Sequence, residues 1–598
     1  MNISIKFKVW KMVFMSLISL NVFSQNFKFD KPNLDFEIVD GNKALGWGDF
    51  GNEHYIKGID TLAAKSGKNS AFIESKEEAT TFGALSFDIP ADFVGKKLKL
   101  TGYMKTENVT DGYAGLWMRI DPKVGFYNMS DKQIKGTTEW QKYEIELDYE
   151  VRAEKIIIGG LLVGKGKMWI DDLEITIDGK KLHSAEKKVE LTPEVKESLV
   201  NQITQNKIAF NLSLDIQLEA SLQSLIESIG DKKIVAIGED THGTSEYYKL
   251  REAITKKLIL EKGFNVVVLE NPYDDIEVLV RNIHQEKLED LMRKHLFSIY
   301  QTQEMRSFLE WYKTQGLENE VQFKGCDDSY WVLHEVLEQQ LSTLNDDKIN
   351  ADVELLKDAA NLTVKKFNRK HKKSGKKASS ENELGVFGYQ AALDLEEALS
   401  AKGLLTKELE EYLFNIQTSY IIYLNLANKE PIQTRDELMA KRIAWFAKDP
   451  DAKILVWAHN AHISKEVVLD GEIGLMGHNL KKEFGDDYHS IGMSSLKGSY
   501  SYIENPRINN DHSYDDKLLK ADLNFQPNNS WEKIFSEINE KAFYFETKEF
   551  ANDQIFENLK LLGYPKEKDT DYYKLSPLKM FDTVFFIEST NATQPLFN

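Results

Sequence analysis

Near residue 190 the hydrophobic rhythm of the chain changes, and no single core satisfies both halves. Before that point short alternating apolar runs dominate: Leu98–Leu100 with Gly102–Met104, Gly115–Ile120, Tyr143–Leu147 and Lys155–Leu162, parted by Gly, Asp, Asn and Lys. Period-two alternation with frequent turns predicts antiparallel strands in an all-β sandwich. Beyond it, apolar strands alternate with helical spacing. Residues 233–238 read as a strand, Ser245–Glu261 as a helix stopped by Gly263, and Asn265–Leu269 as a second strand. Such a βαβ unit implies a parallel sheet. Further strands are expected at Val321–Gly325, Lys453–Trp457, Tyr488–Met493, Ala542–Phe545 and Thr583–Ile587, with a helical subdomain over about 330–450. The expected organisation is therefore multidomain, as a length of 598 residues also suggests. It comprises a β-sandwich over 25–182, a linker over 183–194 and an α/β domain over 195–598. Thr192-Pro193 supplies a helix start, Thr as cap and Pro in the first turn.

Charge and termini narrow the partners. The formal charge is −19, which disfavours nucleic acid, because phosphate binding needs a basic face. The basic run Lys365–Lys377 reads as a solvated loop between helices. Lys6, Lys8 and Lys11 precede an apolar stretch, Val13–Phe23, and Val22 and Ser24 suit the −3 and −1 positions of a cleavage site. Residues 1–24 thus read as a signal peptide, too short for a membrane span, and the protein as periplasmic or extracellular. Cys326 is the sole cysteine, so no intrachain disulfide forms.

Ligands gather at the carboxyl ends of parallel strands. Four expected strands run straight into ionisable groups: Glu239-Asp240-Thr241-His242, then Glu270, then Asp327-Asp328, then His459-Asn460-Ala461-His462. A neutral imidazole can take a proton from water, and a carboxylate within reach fixes its tautomer and steadies its cation. Glu239 and His242 suit that pairing. His459 and His462 can donate to a developing oxyanion or bind a metal; alternatively one of them caps a helix. Arg251 can orient a carboxylate such as Glu270, or pin a substrate. A serine nucleophile is disfavoured: Gly492-Met493-Ser494-Ser495-Leu496 lacks the last glycine of a nucleophile elbow. There is no His-Glu-x-x-His helix, and Cys326 reads as buried packing. Gly159–Lys165 mimics a phosphate loop, but Gly166 replaces the hydroxyl residue that would hold magnesium.

Several motifs match known families. Gly238 to Glu246, Leu250-Arg251, Gly263-Phe264, Leu269-Glu270, Gly325-Cys326-Asp327, Arg435-Asp436 with Met439-Ala440, Ala458 to Ile463, and Met476-Gly477 resemble the erythromycin esterase family in consistent order. The resemblance implies a metal-independent esterase that opens a macrolide lactone with water, an antibiotic-inactivating reaction. His242 would be the general base, Glu239 its carboxylate, and His459, His462, Glu270 and Arg251 the other catalytic residues. Asp327, Arg435 and Met476 would line the substrate. Arg442 departs from the pattern, standing where an asparagine is expected. The N-terminal stretches Asn33–Glu37, Gly46-Trp47 and Met168–Leu173 resemble jelly-roll modules that bind carbohydrate, in which Glu37 and Asp171 would share a structural calcium. Two alternatives stay open: a divalent-metal hydrolase with His242, Glu239, Glu270 and His459 as ligands, or a glycan-binding protein on an inactive esterase scaffold.

Overall fold

The computed structural model describes residues 32–597, except 78, 80, 213–214, 329–331, 371–378, 469–472, 505–513, 515 and 551–552. The expected signal peptide lies outside these residues, and so, for its side chains, does the basic run Lys365–Lys377. The chain separates into two compact units whose main sequence division falls between Ala185 and Glu186.

The N-terminal unit is all-β and antiparallel, in a nine-stranded sheet. Its backbone differs from the expected series of short strands. Lys97–Asp121 and Lys155–Ile177 are single strands that pair along most of their length. Residues that read as breaks are bulges: the register shifts near Asn108, Asp111, Gly164 and Gly166, all at positive φ, and the pairing continues beyond them. Glu37 and Asp171 both hold the loop 65–69. Glu37 Oε1 accepts the backbone N–H groups of Lys68 and Asn69, and Asp171 Oδ2 those of Lys65 and Ser66. Asp171 Oδ1 also accepts the Asp172 N–H, so both residues serve to fix this loop.

The C-terminal unit is built on a mixed sheet. We label its elements β1 (Ile234–Ile237), α1 (Ser245–Lys262), β2 (Val266–Pro272), β3 (Gln322–Asp327), α2 (Arg435–Phe446), β4 (Ile454–Trp457), α3 (Asn460–Ile463), α4 (Leu475–Phe484), β5 (Tyr488–Tyr502), β6 (Ala542–Glu546) and β7 (Thr583–Thr590). Strand order is β6-β7-β5-β1-β4-β2-β3, with Ile208–Ala209 outside β6. From β7 to β3 all pairs are parallel; β6 is antiparallel to β7.

Both faces of the sheet are covered, which is why its strands read as unbroken apolar runs. Ile234, Ala236, Val266, Val268, Ile454 and Val456 pack into one core with helices Leu333–Leu341, Asp347–Lys370, Ser379–Ala401 and Lys407–Asn428. Val235, Ile237, Val267, Leu269, Leu455 and Trp457 pack into the other with α1. Thr192 caps the helix Pro193–Asn206, its hydroxyl accepting the Val195 N–H. Gly263 ends α1 at φ +69°, a left-handed position that glycine takes without strain.

Candidate active site

Register brings the site together. Ile237 pairs with Trp457 and Leu269 pairs with Trp457, so the last residues of β1 and β4 lie level with Leu269 of β2. The next residues, Gly238-Glu239, Ala458-His459 and Glu270, therefore share one edge. Asn460 opens α3 and ties the edge to β5: its amide donates to Met493 O at 2.7 Å and its Oδ1 accepts the Met493 N–H at 3.2 Å. A Cβ on Gly238 would lie 2.0 Å from that Oδ1, so only glycine fits there.

His242 Nδ1 lies 3.0 Å from Glu239 Oε1, and both residues are buried. A carboxylate only accepts, so in the neutral imidazole Nδ1 carries the hydrogen and Nε2 the lone pair. Glu239 is held from behind by Arg251, whose Nη1 lies 3.0 Å from Oε2. Arg251 Nη2 donates to Ile237 O and Ala458 O. The expected partner of Arg251, Glu270, is instead held by another arginine.

His459 caps α3, its Nδ1 accepting the Ala461 N–H at 3.2 Å. That fixes the opposite tautomer: Nε2 carries hydrogen, is buried, and faces the Asp240 carbonyl without meeting full hydrogen-bond geometry. Burial, with His242 and His462 beside it, pushes its pKa well below the ordinary histidine value, so the ring stays neutral. Its centroid is 4.8 Å from that of His242.

His462 is different. Its Nδ1 meets Asp436 Oδ1 at 2.8 Å and its Nε2 meets Glu270 Oε1 at 3.3 Å. Burial opposes the charge, but these carboxylates outweigh it and hold the pKa at about 10. His462 is thus an imidazolium with both N–H groups engaged by carboxylates, so neither is free to meet an oxyanion. Glu270 accepts the His459 N–H with Oε2 and receives Arg435 Nη2 on Oε1. Burial would raise its pKa, yet His462, Arg435 and His242 hold it well below the usual carboxylate range.

Asp327 at the end of β3 accepts hydrogen bonds from both Nε and Nη2 of Arg435, whose side chain is half-exposed. Met476 does not line the site with its side chain, which is fully buried in the core; its backbone N–H supports Asp436 at 3.3 Å. Arg442, unexpected in its motif, is wholly buried and braces β3 by donating to Cys326 O, Asn415, Ser419 and Asp328. Burial pushes the Cys326 thiol well up, and its Sγ faces Leu269 O.

A divalent metal would need free carboxylate oxygens. Both oxygens of Glu239 and both of Glu270 already face hydrogen-bond or ion-pair donors, and no group of three or more His, Cys, Asp or Glu among the described residues is placed to hold a metal. The residues do not fit that ion.

Sequence reasoning missed Tyr564, whose ring stacks on His242 with centroids 4.5 Å apart and planes 19° from parallel. It also missed Asp436 as a site residue and Tyr300, whose buried hydroxyl has no partner among the described residues. Burial, with Glu270 and Glu239 near, pushes the pKa of that phenol well up.

The C-terminal unit is an α/β protein with a carboxylate-backed histidine at the carboxyl edge of its parallel strands. Residues 259–590 match the erythromycin esterase family, and the chain belongs to it. The matched stretch begins after the Glu239–His242 turn. Erythromycin esterase type II of Escherichia coli is 24% identical over 417 residues, covering 62% of this chain and 92% of that protein. A crystal structure described as a succinoglycan biosynthesis protein shares the fold, with TM-score 0.55 and 19% identity over 67% of this chain and 99% of that one. A carbohydrate-binding module solved with β-1,4-galactotriose aligns to 25% of this chain and 97% of its own, at 13% identity and TM-score 0.19. The protein is a hydrolase of the ester or lactone type.

Proposed function

We propose that the protein is an exported enzyme that opens a lactone or carboxylic ester with water activated at His242. The observation that carries this reading is the tautomer imposed on His242 by Glu239, which leaves Nε2 as a base. Water gives its proton to Nε2 as its oxygen bonds the carbonyl carbon. The Nε2–H of His459 meets the oxygen that becomes negative, in a site walled from bulk water. The tetrahedral species then breaks its C–O bond to the alcohol, and His242 returns the proton to the leaving alkoxide. Acid and alcohol result, and no other reactant is consumed. General base catalysis of this kind contributes on the order of 10²–10⁴ in rate. The half-exposed Arg435 offers a cation to a polar substrate. Macrolides and acylated sugars are the substrate classes to test.

A mass-spectrometric screen of macrolides and acylated sugars should find a gain of one water with the wild type. His242→Asn should lose at least about a hundredfold in kcat, and EDTA should change nothing. Retained turnover in His242→Asn, with the fold intact, overturns the assignment. Export is tested by N-terminal sequencing of the mature protein, which should begin at Gln25. For the β unit we propose a glycan-contacting role, favoured by the exposed Phe50 and Phe82, whose rings meet edge-on at 6.0 Å beside Trp117. Glycan-array binding tests it.

A further inference from the structure

His242 is enclosed on more sides than base catalysis requires. Glu239 holds Nδ1, His459 covers one part of the ring, and Tyr564 lies nearly flat against it at 4.5 Å. The Tyr248 hydroxyl fixes the backbone by donating to His242 O at 3.2 Å. Tyr564 comes from a C-terminal loop more than three hundred residues away in sequence, and that loop is tied to the histidine's own turn. Leu562 N donates to Asp240 O at 2.8 Å, and Leu562 forms a bridge with Thr241. Lys560, buried, reaches Asp240 Oδ2 at 3.1 Å and donates to Ser495 O at 2.8 Å. On the far side Ile503 N donates to Tyr564 O at 2.9 Å. A loop that only closed the surface would not need a buried lysine and two backbone bonds to place one ring.

We propose that Tyr564 is a positioning residue that clamps the His242 ring and stabilises it as it takes up a proton. The inference rests on His242 acting as the base. An aromatic face carries negative partial charge, so a ring stacked on it favours the cation over the neutral imidazole. The phenol is suited to this: burial, with Glu270 close by, pushes its pKa well up, so it remains neutral and its face, not a phenolate charge, acts. The other groups facing His242 are already committed. Glu239 is held by Arg251, Glu270 is anionic and shared by Arg435 and His462, and neutral His459 adds no charge. Tyr564 is the contact that can be altered without breaking an ion pair, because no ion pair of the site includes it.

The test uses the full chain labelled at histidine Cε1. NMR titration follows His242, assigned by the resonance absent from His242→Asn, and kcat and KM are measured on p-nitrophenyl acetate. Tyr564→Phe keeps the stacked face; its His242 midpoint should be unchanged and its kcat within about twofold of wild type. Tyr564→Leu and Tyr564→Met remove the face. Both should lower the His242 midpoint by about half a unit to one unit and lower kcat about tenfold, with KM nearly constant. The histidine spectrum itself reports whether each variant is folded, and two ring-free variants guard against one that is not. An unchanged His242 midpoint in a folded ring-free variant overturns the proposal. So does an equal loss in Tyr564→Phe, which would assign the effect to the hydroxyl. If the ester is not turned over but the midpoint shifts as expected, the clamp stands and the hydrolase reading is what fails.

Discussion

Arg251 shows how little of the site's chemistry is in contact with solvent. Its guanidinium is fully buried, paired with Glu239 at 3.0 Å and bonded to the carbonyls that end β1 and β4. Removing one partner of such a pair leaves a buried charge uncompensated, which costs about 3–5 kcal/mol. Arg251→Met should therefore destabilise by about 3 kcal/mol, read from the urea midpoint. It should also lower kcat, because Glu239 loses the contact that aims its other oxygen at His242. Adding Glu239→Gln removes the stranded charge, so the double variant should recover at least about 1 kcal/mol of the loss. Strict additivity would show that the two side chains are not coupled. Arg442 carries a similar buried guanidinium, but its bonds run to Cys326 O, Asp328 and the helix Lys407–Asn428 rather than to Glu239 or His242.

At the scale of elements, the site depends on where α2 begins. Thr434 and Glu437 form a capping box, the Thr434 hydroxyl accepting Glu437 N–H and the Glu437 carboxylate accepting Thr434 N–H at 2.7 Å. The first two residues after the cap are Arg435 and Asp436, which hold Glu270, Asp327 and His462. Thr434→Ala should cost about 1 kcal/mol in stability, and its effect on kcat should exceed that of capping losses elsewhere because the frayed turn carries the site. An equal loss of stability with unchanged kcat would separate the cap from the chemistry. The same scale explains what was legible in the sequence. Glu239, His242, Glu270, Asp327, His459 and His462 lie at or just beyond the ends of apolar runs that are unmistakable, so the edge of a parallel sheet gathers them. Tyr564 follows no strand of that sheet and sits between Gly563 and Pro565, where nothing local distinguishes it from a surface turn. In the β unit, Asn and Asp at positive φ read as ends of strands, although the chain only bulges there and pairs on.

Across the whole molecule, buried histidines with opposed environments set the range of pH over which the fold is stable. His489, near the start of β5, is buried with its Nε2 on the Thr583 hydroxyl at 3.0 Å. Burial outweighs the attraction of Asp582 and Glu546 and pulls its pKa down to about 4. As pH falls below the ordinary value of 6.5, the unfolded chain binds a proton there that the folded chain refuses, so stability is lost from about 6.5 down to about 4. His459, also held neutral, acts in the same direction. His462 acts in the other: held at about 10, it contributes fully below 6.5 and loses that contribution as pH rises toward 10. Stability should accordingly peak near neutral pH. The acid limb is the more specific prediction, because it can be assigned to one ring far from the chemistry. At pH 5 the wild type should have lost about 2 kcal/mol through His489 relative to pH 7. His489→Gln, which keeps a partner for Thr583 but does not titrate, should remove most of that share while leaving the alkaline limb set by His462 in place. Urea unfolding at pH 5, 7 and 9 reads both limbs. An acid limb equally steep in the variant would mean that His489 is not held neutral in the folded protein, and that the loss belongs to His459 and the carboxylates around it.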